Sequence, residues 1–169
     1  MKAVVLLSAL LSLPALAGEP TLYGRYEYLQ VAELGKTLKA KMDTGAYTAS
    51  LSARDIQRFK REGEEWVRFR LAADGADDTL YEHRLARISK IKNRADEGDD
   101  DPAAADVSKR PVIDLQLCLG HELRTVEVNL ADRSSFNYPL LIGAKALREF
   151  NAAIDPAKRF TAGKPACRG

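Results

Sequence analysis

The sequence contains few of the residues that build metal centres and nucleophilic triads. Its 169 residues include two cysteines and two histidines, and neither His83 nor His121 belongs to a set of cysteines and histidines with zinc-site spacing. Cys118 and His121 are close in sequence, and we interpret them as a core cysteine beside a turn histidine. The motifs G-x-x-x-x-G-K-[ST] and H-E-x-x-H are absent. The sequence therefore predicts no metal and no cofactor, and it offers no partners for a serine or cysteine triad.

A large excess of one charge is also missing. The chain has 26 basic and 24 acidic side chains, and only one of them, Lys2, lies within the first 17 residues. Without that segment the net charge is +1. Proteins that bind nucleic acid or anionic membranes usually carry a clear basic excess or patch. We therefore expect neither of these two partners for the mature chain.

The only long apolar stretch stands at the N-terminus. It follows Lys2, runs from Val4 to Leu13 and is succeeded by the small-residue pattern Ala15-Leu16-Ala17. This arrangement is typical of a cleaved secretory signal peptide. We predict a signal peptide over residues 1–17, a mature protein that starts near Gly18, and a periplasmic or secreted location. A retained membrane anchor is the alternative, whereas the lack of a cysteine at the cleavage point argues against lipid attachment.

The two cysteines allow two interpretations. In an oxidising compartment Cys118 and Cys167 could form a disulfide bond. Cys118 also lies within an apolar strand pattern, and a buried free thiol is the alternative there. The sequence leaves both open.

Alternating apolar residues predict a mainly β domain over residues 18–169. In the stretch Thr37–Met42, for example, Leu38, Ala40 and Met42 share one face and Lys39 and Lys41 the other. A possible capping box that starts at Ser52 predicts a short helix ending near Gly63. Strands are expected at 23–31, 37–42, 65–71, 79–91, 112–119, 123–130 and 138–142, and a second short helix at 144–150.

Two short segments carry the functional argument. KMDTGAYT (41–48) puts Asp43, Thr44, Gly45 and Ala46 directly after an alternating strand, and YPLLIGAKAL (138–147) supplies an apolar pair and a glycine before a helix pattern. This combination resembles the retropepsin-like aspartic proteases. More narrowly, it is similar to a bacterial retropepsin-like group often labelled "ATP-dependent zinc protease", relatives of which accompany RimK-type peptide ligases. The resemblance covers about residues 22–160, and the residues support neither ATP nor zinc in that label.

The resemblance implies a fold and a mechanism. The fold would be a closed or partly open β-barrel in which Leu141, Ile142 and Gly143 form the psi-loop. Two Asp43 side chains, one from each protomer of a homodimer, would share one proton and hydrolyse a peptide bond. Thr44 would interlock with its symmetry mate, Gly45 would let the backbone approach the substrate, and Ala46 would line the pocket floor. The partners would be a peptide or protein substrate and a second copy of the chain.

The sequence departs from that family pattern in two places. The family commonly has an aspartate after D-T-G-A and an arginine after the downstream glycine, an ion pair that supports the dimer, but this chain has Tyr47 and Ala144. Asp43 and Gly143 are also 100 positions apart, and the surplus falls at about residues 65–109, where a flap is expected.

We interpret the long insertion as an extended flap. It would consist of a hairpin at 65–91 and an acidic loop at 92–108 that together cover the substrate, and a solvated surface loop is the alternative. The missing ion pair motivates a second functional hypothesis as well, in which the fold serves as a non-catalytic peptide-binding or assembly module.

Overall fold

Eleven strands make up most of the described chain. The structure is a computed structural model that describes residues 18–92 and 107–167, so the predicted signal peptide and most of the acidic loop lie outside the described residues. The strands are β1 Thr21–Gly24, β2 Tyr26–Val31, β3 Lys36–Asp43, β4 Ala49–Arg61, β5 Glu64–Leu71, β6 Leu80–Arg84, β7 Arg87–Lys92, β8 Val107–Leu119, β9 Glu122–Ala131, β10 Leu140–Gly143 and β11 Ala152–Asp155. A 3₁₀ turn spans Ala32–Leu34, and the one α-helix of these residues, α1, spans Ala144–Glu149.

Six of the strands close into a barrel. Their order is β10, β3, β2, β8, β9 and β4, and β4 pairs with β10 to complete the ring. β10 is parallel to β3 and antiparallel to β4, so it fills the gap between two strands that follow each other in sequence. The mainly β, retropepsin-like barrel with its psi-loop is therefore confirmed.

The barrel is closed around the side chains that the alternating patterns point inward. Leu38, Ala40 and Met42 of β3 are buried, as the two-residue period predicts. They pack against aliphatic side chains of the other strands, among which Leu29, Leu51, Ile113, Leu115, Leu117, Leu130, Leu140 and Ile142 have at most 1% of their surface exposed. The side chains that alternate with them point out of the barrel, where they can contribute to a site.

The predicted helix at 52–62 is wrong, because this segment is part of strand β4. Its first residues pair with β9 and β10 inside the barrel, and its later residues pair with β5. The supposed capping residue Asp55 lies at a register shift between Arg54 and Gln57 and has φ of 54°. Glu62 and Gly63 both have positive φ, as in a two-residue hairpin turn. The glycine thus turns a hairpin instead of ending a helix.

The single return strand predicted at 79–91 is also wrong. β6 pairs with β5, whereas β7 pairs with β8. The change occurs between two neighbouring residues: the Leu85 N–H donates to Glu65 O at 2.9 Å, and the Ala86 N–H donates to Val112 O at 2.8 Å. The expected hairpin at 65–91 is therefore two ribbons, one extending from β4 and one from β8.

The contacts that fasten the C-terminal segment to the barrel include a disulfide bond and a buried carboxylate. Cys118 and Cys167 are joined in a disulfide bond. Glu27 of β2 is completely buried. Its carboxylate accepts hydrogen bonds from the N–H groups of Gly24, Thr161 and Ala162 and from the Thr161 hydroxyl. In the part of the chain that the structure describes, no helix has the length and apolarity needed to span a membrane.

Candidate active site

Asp43 stands at the end of β3, on the outward side of the barrel. Because side chains alternate along a strand, burial of Met42 turns Lys41 and Asp43 outward. β10 runs beside this strand end, and Gly143 is the register partner of Asp43. The psi-loop thus meets the Asp-Thr-Gly-Ala segment, as the family resemblance implied.

The loop after Asp43 is held by its own backbone and by the start of α1. The Gly45 N–H donates to Asp43 Oδ1 at 3.1 Å, and the Ala46 N–H donates to the Asp43 carbonyl at 3.3 Å. Further along, the Ala144 N–H donates to Ala46 O at 2.7 Å and the Lys145 N–H to Tyr47 O at 3.0 Å. These contacts fix residues 43–47 against the residues that follow the psi-loop.

Glycine is required at position 143 for steric reasons. A Cβ there would lie 2.6 Å from Thr48 O and 2.8 Å from the Tyr47 carbonyl carbon, which is closer than any real contact allows. Gly45 is different, since a Cβ would meet only Asp43 Oδ1 at 3.4 Å. Thr44 and Gly45 are exposed in the protomer. The predicted roles of these two residues in dimer packing and substrate approach stay predictions.

The Asp43 carboxylate has a cation beside it. Lys41 Nζ lies 3.0 Å from Asp43 Oδ2. Burial raises the pKa of the Asp43 carboxyl, but the Lys41 ammonium and the N–H groups of Gly45 and Ala46 lower it, and the net pKa lies below the ordinary value. A single protomer therefore holds this carboxylate in the charged form.

A cleft of about 400 Å³ opens next to the Asp43 loop, and Ala46 is one of its lining residues. The role of Ala46 as the floor of a substrate pocket stays a prediction. The cationic lining of the cleft comes from Lys90, Arg110 and Arg133. Burial lowers the pKa of the Arg133 guanidinium and the like charge of Arg110 lowers it further, whereas Asp43 opposes both. Arg133 Nε is buried and meets no acceptor among the described residues. The cleft is thus suited to a ligand that carries negative charge.

Sequence reasoning missed a charged network that braces this site. Glu127 of β9 accepts hydrogen bonds from Arg87 at the start of β7, at 2.8 Å, and from Lys145 of α1, also at 2.8 Å. Hydrogen bonds from Arg87 and Lys145 hold the pKa of Glu127 at about 2. Since the Lys145 N–H also donates to Tyr47 O, the network joins strand β7, strand β9 of the barrel and the Asp43 loop.

Two further contacts support the loop. Asn129 of β9 is buried, donates to Thr48 Oγ1 and Ala49 O, and accepts from Ser50. The Arg148 guanidinium lies 5.7 Å from the centre of the Tyr47 ring, within the range of a cation–π contact. Tyr47 therefore contacts an arginine, Arg148. The family pattern instead has its arginine at the position of Ala144.

The remaining candidates are separate from the site. Cys118 belongs to the disulfide, and His121 lies in the turn between β8 and β9. Within residues 18–92 and 107–167, no group of three histidine, cysteine, aspartate or glutamate side chains is placed to hold a metal ion.

Comparison with known proteins agrees with this geometry. The model of a family described as RimB-like, "Retropepsin-like aspartic endopeptidase RimB", matches residues 22–165. A solved structure of a Legionella pneumophila protein of unknown function, Lpg0085, is 36% identical, with a TM-score of 0.67, and the match covers 83% of this chain and 97% of that one.

Curated relatives have a different name and a greater length. Proteins from Shewanella halifaxensis and Desulfotalea psychrophila, each named probable alpha-L-glutamate ligase, are 32% identical to this chain. The matches cover 83% of this chain but 30% and 29% of those proteins. The chain therefore spans only about 30% of the length of these relatives.

Proposed function

Because the chain belongs to the RimB-like family of retropepsin-like aspartic endopeptidases, we propose that it is an aspartic endopeptidase whose active site forms between two copies of the chain. The observation that carries the proposal is the placement of Asp43 in a braced Asp-Thr-Gly-Ala loop beside the psi-loop. One protomer supplies one such carboxylate, and the chemistry needs two.

In the proposed mechanism the two Asp43 carboxyl groups face each other and share one proton. The ionised member activates a water molecule, and the protonated member donates to the carbonyl oxygen of the scissile bond. Exposure of Thr44, Gly45 and Tyr47 around Asp43 supports a twofold contact there, because an isologous dimer brings identical patches together.

We further propose that the substrate is a peptide rich in acidic residues. The cleft beside the Asp43 loop has Lys90, Arg110 and Arg133 in its lining, and guanidinium groups bind carboxylates through paired, charge-assisted hydrogen bonds. The name of the ligase relatives also refers to glutamate. Their ligase activity itself is not proposed for this chain, which matches only about 30% of their length.

The location we propose is the periplasm or the cell exterior. The apolar N-terminal pattern with its small-residue cleavage site supports export. The disulfide between Cys118 and Cys167 is in keeping with an oxidising compartment.

Dilution tests whether the active site needs two copies. Below the dissociation constant of the dimer, peptidase activity per protomer should fall about tenfold for each tenfold dilution, because the dimer fraction falls in proportion to concentration. Peptide cleavage and sedimentation velocity measured over the same concentrations check this. Constant activity per protomer in samples that sediment as monomers would remove the dimeric site.

Removal of one guanidinium tests the acidic substrate. Arg133→Gln should lower kcat/KM for a glutamate-rich peptide about tenfold, because a charge-assisted hydrogen bond is lost. The value of kcat/KM for a neutral peptide should change by no more than about twofold. Arg159→Gln is the matched control, since Arg159 is exposed and outside the cleft lining. Equal losses for both peptides would argue against a role in charge recognition.

A non-catalytic peptide-binding or assembly module is the second candidate. The ion pair of Lys41 with Asp43 and the lack of the family's Asp–Arg pair favour it. A strictly monomeric protein, or a dimer with its Asp43 loops on opposite faces, would select this function over proteolysis.

A further inference from the structure

Lys41 and Asp43 form an ion pair, and strand geometry places both side chains where they can meet. They are two positions apart on β3, so both side chains leave the same face of the strand. Lys41 Nζ contacts Asp43 Oδ2 at 3.0 Å, while the Gly45 N–H contacts Oδ1 at 3.1 Å. Both carboxylate oxygens are thereby held, one by a mobile charged group and one by the fixed backbone.

No other side chain among the described residues forms an ion pair with Asp43. Arg133, which follows β9, acts on it only through longer-range attraction. From β2, Tyr26 lies opposite Lys41, and the Arg25 guanidinium lies 5.1 Å from the centre of the Tyr26 ring. The four residues of β10 are not titratable.

Other charged side chains near the loop form no ion pair with Asp43 among the described residues: Lys90, Arg110 and Arg133 line the adjacent cleft, and Arg148 lies over the Tyr47 ring. Lys145 of α1 is bonded to Glu127, and the loop itself offers only the Tyr47 phenol. Lys41 is therefore the cation in direct contact with this carboxylate within the part of the chain that the structure describes.

When two Asp43 loops come together in the proposed dimer, their two carboxylates lie close to each other. Two carboxylates at close range repel each other unless one is protonated. A lysine beside each one changes that balance, because two ammonium groups compensate the two negative charges. The inference that follows rests on the proposed function, since it concerns the state of the shared site.

We propose that Lys41 is a positioning residue of the Asp43 site: its ammonium group orients Oδ2, compensates the carboxylate charge in each protomer and sets the pH range over which two such carboxylates share one proton. Because the ammonium favours the ionised carboxylate, the singly protonated pair is populated at lower pH with Lys41 than without it. Removing Lys41 moves both limbs of the pH–activity profile toward higher pH.

The test compares kcat/KM at pH 4 and pH 7 for four proteins: the natural chain, Lys41→Met, Lys41→Arg and Lys39→Met. Lys41→Met should lower the pH 4 to pH 7 activity ratio about tenfold, as expected for loss of a neighbouring opposite charge. Lys41→Arg keeps the positive charge, so its pH 4 to pH 7 activity ratio should stay within about twofold of the ratio for the natural chain. Lys39→Met is the control, since Lys39 leaves the same face of β3 and forms no ion pair with the described residues. An unchanged ratio in Lys41→Met would overturn the proposal.

A second measurement is independent of peptidase activity. The Asp43 carboxyl ¹³C resonance, followed through a pH titration, should give a higher pKa in Lys41→Met than in the natural chain. Coincident titration curves would also overturn the proposal. If the natural chain cleaves no peptide but the curves differ as expected, the proposed function fails and the coupling of Lys41 to Asp43 stands.

Discussion

Asp43→Asn should reduce peptide cleavage by about 10³-fold, because positioned proton transfer contributes roughly 10²–10⁴-fold to catalysis and this substitution removes it from both halves of the proposed dimer. Asparagine has nearly the same shape as aspartate, and its amide oxygen can still accept the Gly45 N–H that now bonds Asp43 Oδ1 at 3.1 Å. It can neither take up the proton from water nor share one with its partner. The fold should therefore persist without the activity.

The measurement is a peptide cleavage assay with circular dichroism and sedimentation on the same samples. Asp114→Asn provides a control, since Asp114 is an exposed carboxylate on β8 that is outside the Asp43 loop. It should keep its activity within about twofold. Full activity in Asp43→Asn, with an intact fold, would refute the aspartic mechanism.

Glu27→Ala should lower the free energy of unfolding by about 3 kcal/mol or more. The carboxylate is completely buried and accepts from Gly24 N at 2.7 Å, Thr161 N at 2.9 Å, Thr161 Oγ1 at 2.6 Å and Ala162 N at 3.1 Å. Alanine leaves these donors without an acceptor, and each buried donor so stranded costs about 1–3 kcal/mol. The C-terminal segment would then be held less tightly to β2, although the Phe160 N–H still donates to Tyr26 O and the disulfide still tethers the segment.

Urea unfolding at neutral pH measures this loss. Glu149→Ala is the matched control, because Glu149 is exposed at the end of α1 and its carboxylate makes no hydrogen bond or ion pair with the described residues. Its effect should stay within about 0.5 kcal/mol. A loss below 1 kcal/mol in Glu27→Ala would show that this carboxylate does not secure the C-terminal segment.

Local patterns were sufficient to predict most of the strands and the position of Asp43, whereas the closed barrel was implied by the family resemblance. The two-residue period of Leu38, Ala40 and Met42 identifies both the strand and its inner face, because one buried face forces alternation. The same period places Lys41 beside Asp43, and the pair could have been inferred from the sequence.

Features that depend on distant partners could not be predicted in the same way. The segment at 52–62 has a helix-start signal, yet pairing with β9 and β5 outweighs it. Glu27 and Glu127 look like ordinary surface acids in the sequence. Their partners Thr161 and Lys145 stand 134 and 18 positions away, and only the closed barrel brings them together.

The position of β10 between β3 and β4 has a consequence for the order in which parts of the molecule fold. The gap between β3 and β4 is filled by residues 140–143, which leave the ribosome long after Asp43. Contacts of such long sequence separation form late, since the intervening chain must first lose its freedom. A nascent chain that ends before Leu140 carries Asp43 but not the strand that shapes its loop, so the proposed site cannot assemble until that strand has been synthesised.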